Sequence, residues 1–123
     1  MPKALVIDDN RHTADSLCQL LSLLDVDARP AYSPRSAILT MRESIPDIVF
    51  LDLNMPGVSG FEVLGYLKRE PRMLNTPVVV VTAEEEHMTV KRAHQEGALA
   101  VIIKPASIEA LEDVLKQANL MKG

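Results

Sequence analysis

Four short runs of unbroken apolar residues constrain this chain more than anything else: positions 4–7, 48–51, 78–81 and 100–103. Each has the length of a strand, and none alternates apolar with polar side chains. Continuous hydrophobicity over so short a span marks a strand covered on both faces, as in a parallel sheet. A fifth, weaker segment at 27–32 has alternating character.

Helix-period segments fill the gaps. Ala14, Leu17, Cys18, Leu21 and Leu24 follow the i, i+3, i+4, i+7 spacing of an apolar stripe. Ser33-Pro34 reads as an N-cap with proline at the first helical position, opening a helix with Ala37, Ile38 and Met41 on one face. Phe61, Leu64 and Leu67 mark a third helix, with Gly60 just before it and Pro71 just beyond its end. A fourth is predicted over 87–95, with Gly97 in the place of a C-terminal cap glycine. The last begins at Ser107 and carries Ile108, Leu111, Val114 and Leu115. Five strands alternating with five helices imply repeated β-α-β units, right-handed crossovers and helices on both faces of one parallel sheet. No linker, repeat or break in composition divides the 123 residues, so a single domain over 1–123 is expected.

Composition then removes several classes of function. A net charge of −4 opposes non-specific binding of nucleic acid, whose affinity comes from Lys and Arg neutralising phosphates. The absence of Trp and the two Tyr and two Phe leave no stacking platform for bases. No apolar run approaches the length of a bilayer span. The first residues lead straight into a strand without a signal-peptide pattern, and the lone Cys18 cannot form an internal disulfide. A soluble cytoplasmic protein is expected, without membrane or direct nucleic-acid partners.

In open α/β sheets, ligands bind beyond the carboxyl ends of the strands. The first strand ends in Asp8-Asp9, the third in Asp52, the fourth in Thr82-Ala83 and the fifth in Lys104-Pro105. These positions converge on one sheet edge and bring together three carboxylates, a hydroxyl and an ammonium. Clustered carboxylates disfavour one another's ionisation, and a divalent cation resolves the conflict. Oxygen donors suit Mg²⁺, which keeps several waters and accepts phosphate oxygens; no Cys or His stands at these strand ends to make a zinc site. Lys104 and Thr82 suit an anion, as a point charge and a hydrogen-bond donor. An Asp in such a site can act as a nucleophile and form an aspartyl phosphate. A single Asp after a strand is commonly a turn residue or a helix cap. The full constellation on four strand ends is not accounted for that way, which leaves a structural Lys–Asp pair as the bland alternative.

The same residues resemble the receiver domain of response regulators. Asp52-Leu53-Asn54-Met55-Pro56-Gly57-Val58-Ser59-Gly60 is similar to that family's Asp-x-x-Met-Pro-x-x-x-Gly signature. Val6-Ile7-Asp8-Asp9-Asn10 resembles its acidic pair, Val81-Thr82-Ala83 its hydroxyl-small pair, and Ile103-Lys104-Pro105 its Lys-Pro turn. The resemblance covers essentially the whole chain. It implies a flavodoxin-like, doubly wound five-stranded parallel sheet with five helices. It implies that Asp52 is phosphorylated from the phosphohistidine of a histidine kinase or phosphotransfer protein, with Mg²⁺ or Mn²⁺ as cofactor. Asp9, Asp52 and the backbone carbonyl of Asn54 would bind the metal directly, and Asp8 through water. Thr82 would bond the phosphoryl group and move with it, Lys104 would pair with a phosphoryl oxygen, and the Lys104-Pro105 peptide would be cis. Such a domain is a substrate and self-catalyst rather than a conventional enzyme.

One position departs from the family. Three residues before Lys104, where the family often has Tyr or Phe, stands Val101. A valine is stiff at χ1 and has no ring to swing, which puts the aromatic readout in doubt and leaves output to Thr82 and the loop after it. Asn54 and Glu84 occupy positions that, in the family, affect the lifetime of the acyl phosphate, and Ala83, Glu84, Val101 and Pro105 are the expected modulating residues. Met1 is read as a genuine start, and the downstream partner as a separate protein, although a domain following residue 123 stays open. Three other readings compete. A metal-dependent phosphohydrolase would need a proton-transferring Asp where Asn54 stands. A flavin or nucleotide binder would need a phosphate loop where Asp8-Asp9 stands. A phosphorylation-independent adaptor would keep the fold without the chemistry. Cys18 is expected to be a buried structural thiol, Glu84 to Glu86 to be solvated residues opening a helix, and Tyr32 and Tyr66 to have no evident partner.

Overall fold

The computed structural model describes residues 1–123. In chain order it contains β1 (Lys3–Ile7), α1 (Arg11–Leu23), β2 (Asp27–Ala31), α2 (Pro34–Glu43), β3 (Ile48–Asp52), the two-residue strands β4 (Asn54–Met55) and β5 (Val58–Ser59), α3 (Gly60–Arg69), a 3₁₀ turn (Pro71–Met73), β6 (Val78–Thr82), α4 (His87–Gln95), β7 (Ala100–Ile103) and α5 (Ile108–Gln117). Five strands form one sheet in the order β2-β1-β3-β6-β7, and every pairing is parallel. This is the doubly wound α/β sheet with five helices that the apolar runs imply. No helix is long and apolar enough to cross a membrane.

The pleat of the sheet explains why the strands are apolar throughout. Leu5, Ile7, Val49, Leu51, Val78 and Val80 face a cluster with Ala37 and Met41 of α2, Leu64 and Leu67 of α3, and Ala93 of α4. Their neighbours Ala4, Val6, Ile48, Phe50, Val79 and Val81 face the opposite cluster, with Leu17 and Leu21 of α1 and Leu111 and Leu115 of α5. Successive side chains point to opposite faces, so both parities must be apolar when both faces are covered. β2, one of the two edge strands, is the exception. Arg29 is exposed there, and Pro30, which lacks an N–H, is tolerated at an edge.

The helix starts follow local chemistry. Asn10, Ser33, Ser59 and Ser107 each accept a backbone N–H from the first turn of the helix they open. Gly60 is the first residue of α3 rather than the one before it. Its N–H donates to the Leu53 carbonyl at 3.1 Å, and a Cβ there would lie 2.3 Å from the Leu53 Cα. Only glycine permits that approach, and the approach presses α3 against the segment following Asp52. Gly97 has φ +106° just after α4, as its predicted capping role requires.

α4 is the least anchored helix. Ala93 is its one buried residue, and Glu86 at its N-cap makes no side-chain capping bond. Glu84 to Glu86 lie immediately before the first turn of α4, with Glu86 as its N-cap. The helix is tied by two polar contacts: the Thr89 hydroxyl donates to Glu84 Oε2 at 3.1 Å, and the Arg92 guanidinium lies over the Phe61 ring at 3.9 Å.

Candidate functional site

The carboxyl ends of β1, β3, β6 and β7 lie side by side, because parallel pairing in register brings all strand ends to one edge. Asp52 pairs with Val81, and Thr82 with Ile103. Every strand-end residue singled out in the sequence therefore arrives in one place. Carboxylate oxygens of Asp8, Asp9 and Asp52 lie within 4.8 Å of one another. Lys104 Nζ donates to Asp8 Oδ2 at 2.9 Å and stands 3.3 Å from Asp52 Oδ1. Asp8 and Asp52 are buried, and Asp9 is exposed.

The three carboxylates are held differently. Asp8 also accepts the Asn10 N–H at 3.0 Å, so the start of α1 and Lys104 together fix it. Asp52 accepts the Asn54 N–H at 3.2 Å. Asp9 projects from the turn with its carboxylate open to solvent. Burial pushes the Asp52 carboxyl above its ordinary value; Asp8 adds to this, while the Asn54 N–H and Lys104 oppose it. For Lys104 burial acts downward, but its bonds to Asp8 and Asp52 prevail and raise it.

Thr82 is fully buried, and its Oγ1 accepts the Glu84 N–H at 3.2 Å and Asn54 Nδ2 at 3.4 Å. Both contacts use the oxygen as acceptor, so the hydroxyl proton remains free to donate. The side chain of Asn54 thus links the two strand ends, a role the sequence did not announce. Ala83 is exposed at the start of the loop, and Glu84 reaches from that loop to Thr89 of α4. The Lys104-Pro105 peptide is cis. Val101 is half-buried in β7 and packs against the cluster on the α2–α4 side.

An oxygen-only donor set of three carboxylates, two of them buried and compensated by one ammonium, fits a hard divalent cation such as Mg²⁺. It does not fit zinc, since no His or Cys belongs to the cluster. The arrangement can bind a cation, present a carboxylate as nucleophile and offer Lys104 and Thr82 to an anion.

Two expectations need correction. Tyr32 has partners: its hydroxyl donates to Asp15 Oδ1 at 2.6 Å, and the Arg11 guanidinium lies over its ring at 4.1 Å. That hydrogen bond raises the Tyr32 pKa. Nothing in the local sequence signals these contacts, because they join α1 to the end of β2 across the fold. Cys18 is half-buried at the margin of the α1–α5 cluster instead of fully enclosed.

Residues 4–116 match the family described as the response regulator receiver domain. The polar-differentiation response regulator DivK of Brucella anthropi is 29% identical over 117 residues, covering 94% of this chain and 95% of DivK. Among solved structures, the chemotaxis protein CheY4 of Vibrio cholerae superposes with a TM-score of 0.88 at 24% identity, over 96% of this chain and 98% of its own; that likeness concerns the fold. NtrX of Brucella abortus gives a TM-score of 0.86 at 28% identity, over 95% of this chain but only 27% of NtrX.

Proposed function

The chain belongs to the response regulator receiver domain family, and we propose that it accepts a phosphoryl group onto Asp52 from the phosphohistidine of a kinase or phosphotransfer protein. The receiver family places it in two-component signalling, as a switch rather than an enzyme acting on an external substrate. One observation carries the finer reading: the Asp8, Asp9 and Asp52 carboxylates gather within 4.8 Å, and one ammonium bonds two of them.

In the transfer, an Asp52 carboxylate oxygen attacks phosphorus in line with the donor P–N bond. That bond breaks, and its electron pair stays on the imidazole nitrogen. Asp9, Asp52 and the Asn54 carbonyl are the residues that would hold Mg²⁺ or Mn²⁺, with Asp8 acting through water. Bound there, the cation supplies charge neutralisation for the phosphoryl oxygens. Lys104, 3.3 Å from Asp52, would pair with one phosphoryl oxygen, and the Thr82 hydroxyl, whose oxygen accepts from the Glu84 N–H, would donate its proton to another. Asn54 in place of an acid offers no proton transfer, which disfavours turnover as a phosphohydrolase.

The signal leaves through Thr82. When its hydroxyl turns to a phosphoryl oxygen, it changes its contacts with Asn54 and the Glu84 N–H, and Glu84 connects onward to Thr89. This route does not need an aromatic ring at Val101. The downstream protein binds the altered surface, in a cytoplasmic setting shared with the phosphohistidine donor.

The test is intact-mass analysis after incubation with Mg²⁺ and acetyl phosphate, beside Asp52→Asn. A gain of one phosphoryl group that requires both Mg²⁺ and Asp52 is expected. Undiminished phosphorylation of the variant would overturn the assignment. Absence of both the adduct and Mg²⁺ binding in the wild type would favour the phosphorylation-independent adaptor.

A further inference from the structure

Arg11 is the first residue of α1, two positions after Asp9, and Tyr32 directly follows β2. Ala31, the last residue of β2, accepts the Asp8 N–H at 3.1 Å. Both residues therefore stand at the sheet edge that carries the acidic site. Arg11 is exposed, yet its guanidinium is placed, lying 4.1 Å from the centroid of the Tyr32 ring. The ring is itself fixed by the 2.6 Å bond from its hydroxyl to Asp15.

Asp15 is the i+4 neighbour of Arg11 and its natural ion-pair partner on a helix. The structure spends that carboxylate on Tyr32 instead. The ion pairs of the molecule join Arg92 to Glu96 and Lys104 to Asp8 and Asp52, and Arg11 takes part in none. A guanidinium held over a ring keeps its in-plane N–H donors available. Their fork matches two oxygens of a phosphoryl group, which a point charge does not. The setting also calls for such a cation. Three carboxylates against one ammonium repel an approaching phosphoryl dianion, and a divalent ion only cancels that excess.

We propose that Arg11, positioned by Tyr32 and Asp15, is a binding residue for the phosphoryl group of the incoming donor, drawing it to the acidic site before transfer to Asp52. The inference rests on the reading of Asp52 as phosphoacceptor. Arg11 governs capture of the donor, while Tyr32 and Asp15 act through Arg11.

The test is the rate of Mg²⁺-dependent phosphorylation as a function of acetyl phosphate concentration, at low and high salt. Arg11→Gln should raise the half-saturating donor concentration about three- to tenfold, the size of an exposed charge-assisted contact. The difference should shrink in high salt, where exposed charges are screened. Arg11→Lys should restore part of the loss, and Tyr32→Leu should reproduce part of it with the charge kept. Arg29→Gln, which removes an exposed positive charge from the body of β2, serves as the net-charge control and should leave the rate unaltered. Mg²⁺ affinity separates binding from mere structural damage: Arg11→Gln should bind Mg²⁺ as tightly as wild type or more tightly, since a positive charge has left. An unchanged half-saturating concentration, or Mg²⁺ affinity falling in parallel, would overturn the inference while leaving Asp52 phosphorylation intact. A wild type that gains no phosphoryl group would remove the underlying reading and this inference with it.

Discussion

Asp52→Asn is expected to stabilise the metal-free protein at neutral pH, although it removes the proposed phosphoacceptor. Lys104 Nζ, 3.3 Å from Asp52, attracts its carboxylate by about 5 kcal/mol at an effective dielectric of about 20. The Asp8 carboxylate, within 4.8 Å, repels it by about 3.5 kcal/mol or more. Asp9 lies within the same distance but is exposed and better screened, and adds about 1–2 kcal/mol. Attraction and repulsion nearly cancel, so the cost of burial decides the sign, and burial is the leading cause of the raised Asp52 pKa. Asparagine keeps an acceptor for the Asn54 N–H at 3.2 Å and discards the charge. The gain should be about 1–2 kcal/mol, or roughly 3–8 °C in Tm for a chain of this size.

The dependence on pH follows from the direction of the shift. The folded protein holds the Asp52 proton more tightly than the unfolded chain, whose ordinary value is 3.8. Stability from the protonated form is complete below that value and is lost as pH rises through the higher folded value. The advantage of the variant should therefore be full at pH 7 and vanish towards pH 4. Mg²⁺ should narrow the gap from the wild-type side, by about 1.4 kcal/mol at ten times its Kd. Thermal melts in chelator at pH 7, 5.5 and 4, and with Mg²⁺ at pH 7, measure all of this. A variant no more stable than wild type in chelator at pH 7, or an advantage that grows on acidification, would refute the reasoning.

Three further outcomes follow from the geometry. Asp9→Ala should weaken Mg²⁺ binding more than Asp8→Ala, because Asp9 is open to a metal whereas Lys104 and the Asn10 N–H engage Asp8; calorimetric titration gives the order. Gly60→Ala should cost about 1–3 kcal/mol or more in urea melts, since its Cβ would stand 2.3 Å from backbone at Leu53. The Cys18 thiol is pushed up to about 11, by burial first and by Asp15 second, from 9.0. Alkylation at pH 8 should then be roughly 100-fold slower in the folded protein than in urea, as the thiolate is the reactive form.

The strand ends were legible in the sequence because a parallel sheet covered on both faces writes itself as apolar runs. Whatever follows such a run lands on the ligand-binding edge. Asp8, Asp52, Thr82 and Lys104 are readable in this way, without knowledge of register. β2 is fainter, because Arg29 and Pro30 interrupt its apolar residues, as an edge position allows. The β4–β5 hairpin was invisible, since two-residue strands carry no period. The position of Gly60 inside α3 is set by its close approach to the Leu53 backbone, which no local pattern reports. The contacts of Tyr32 with Arg11 and Asp15 were also out of reach, as they depend on how α1 lies across the end of β2.

The thin anchoring of α4 has a consequence for how the native state fluctuates. Segments that bury little apolar surface open at far lower free energy than the global unfolding cost. With Ala93 alone buried and two polar ties, α4 forms such a segment, and its amides should exchange with deuterium well before those of β1, β3 and β6. The five-stranded core then persists while this one helix samples detached arrangements. A contact altered at Glu84 has only that small local opening energy to overcome, so the domain can change one face without disturbing the stability of the rest.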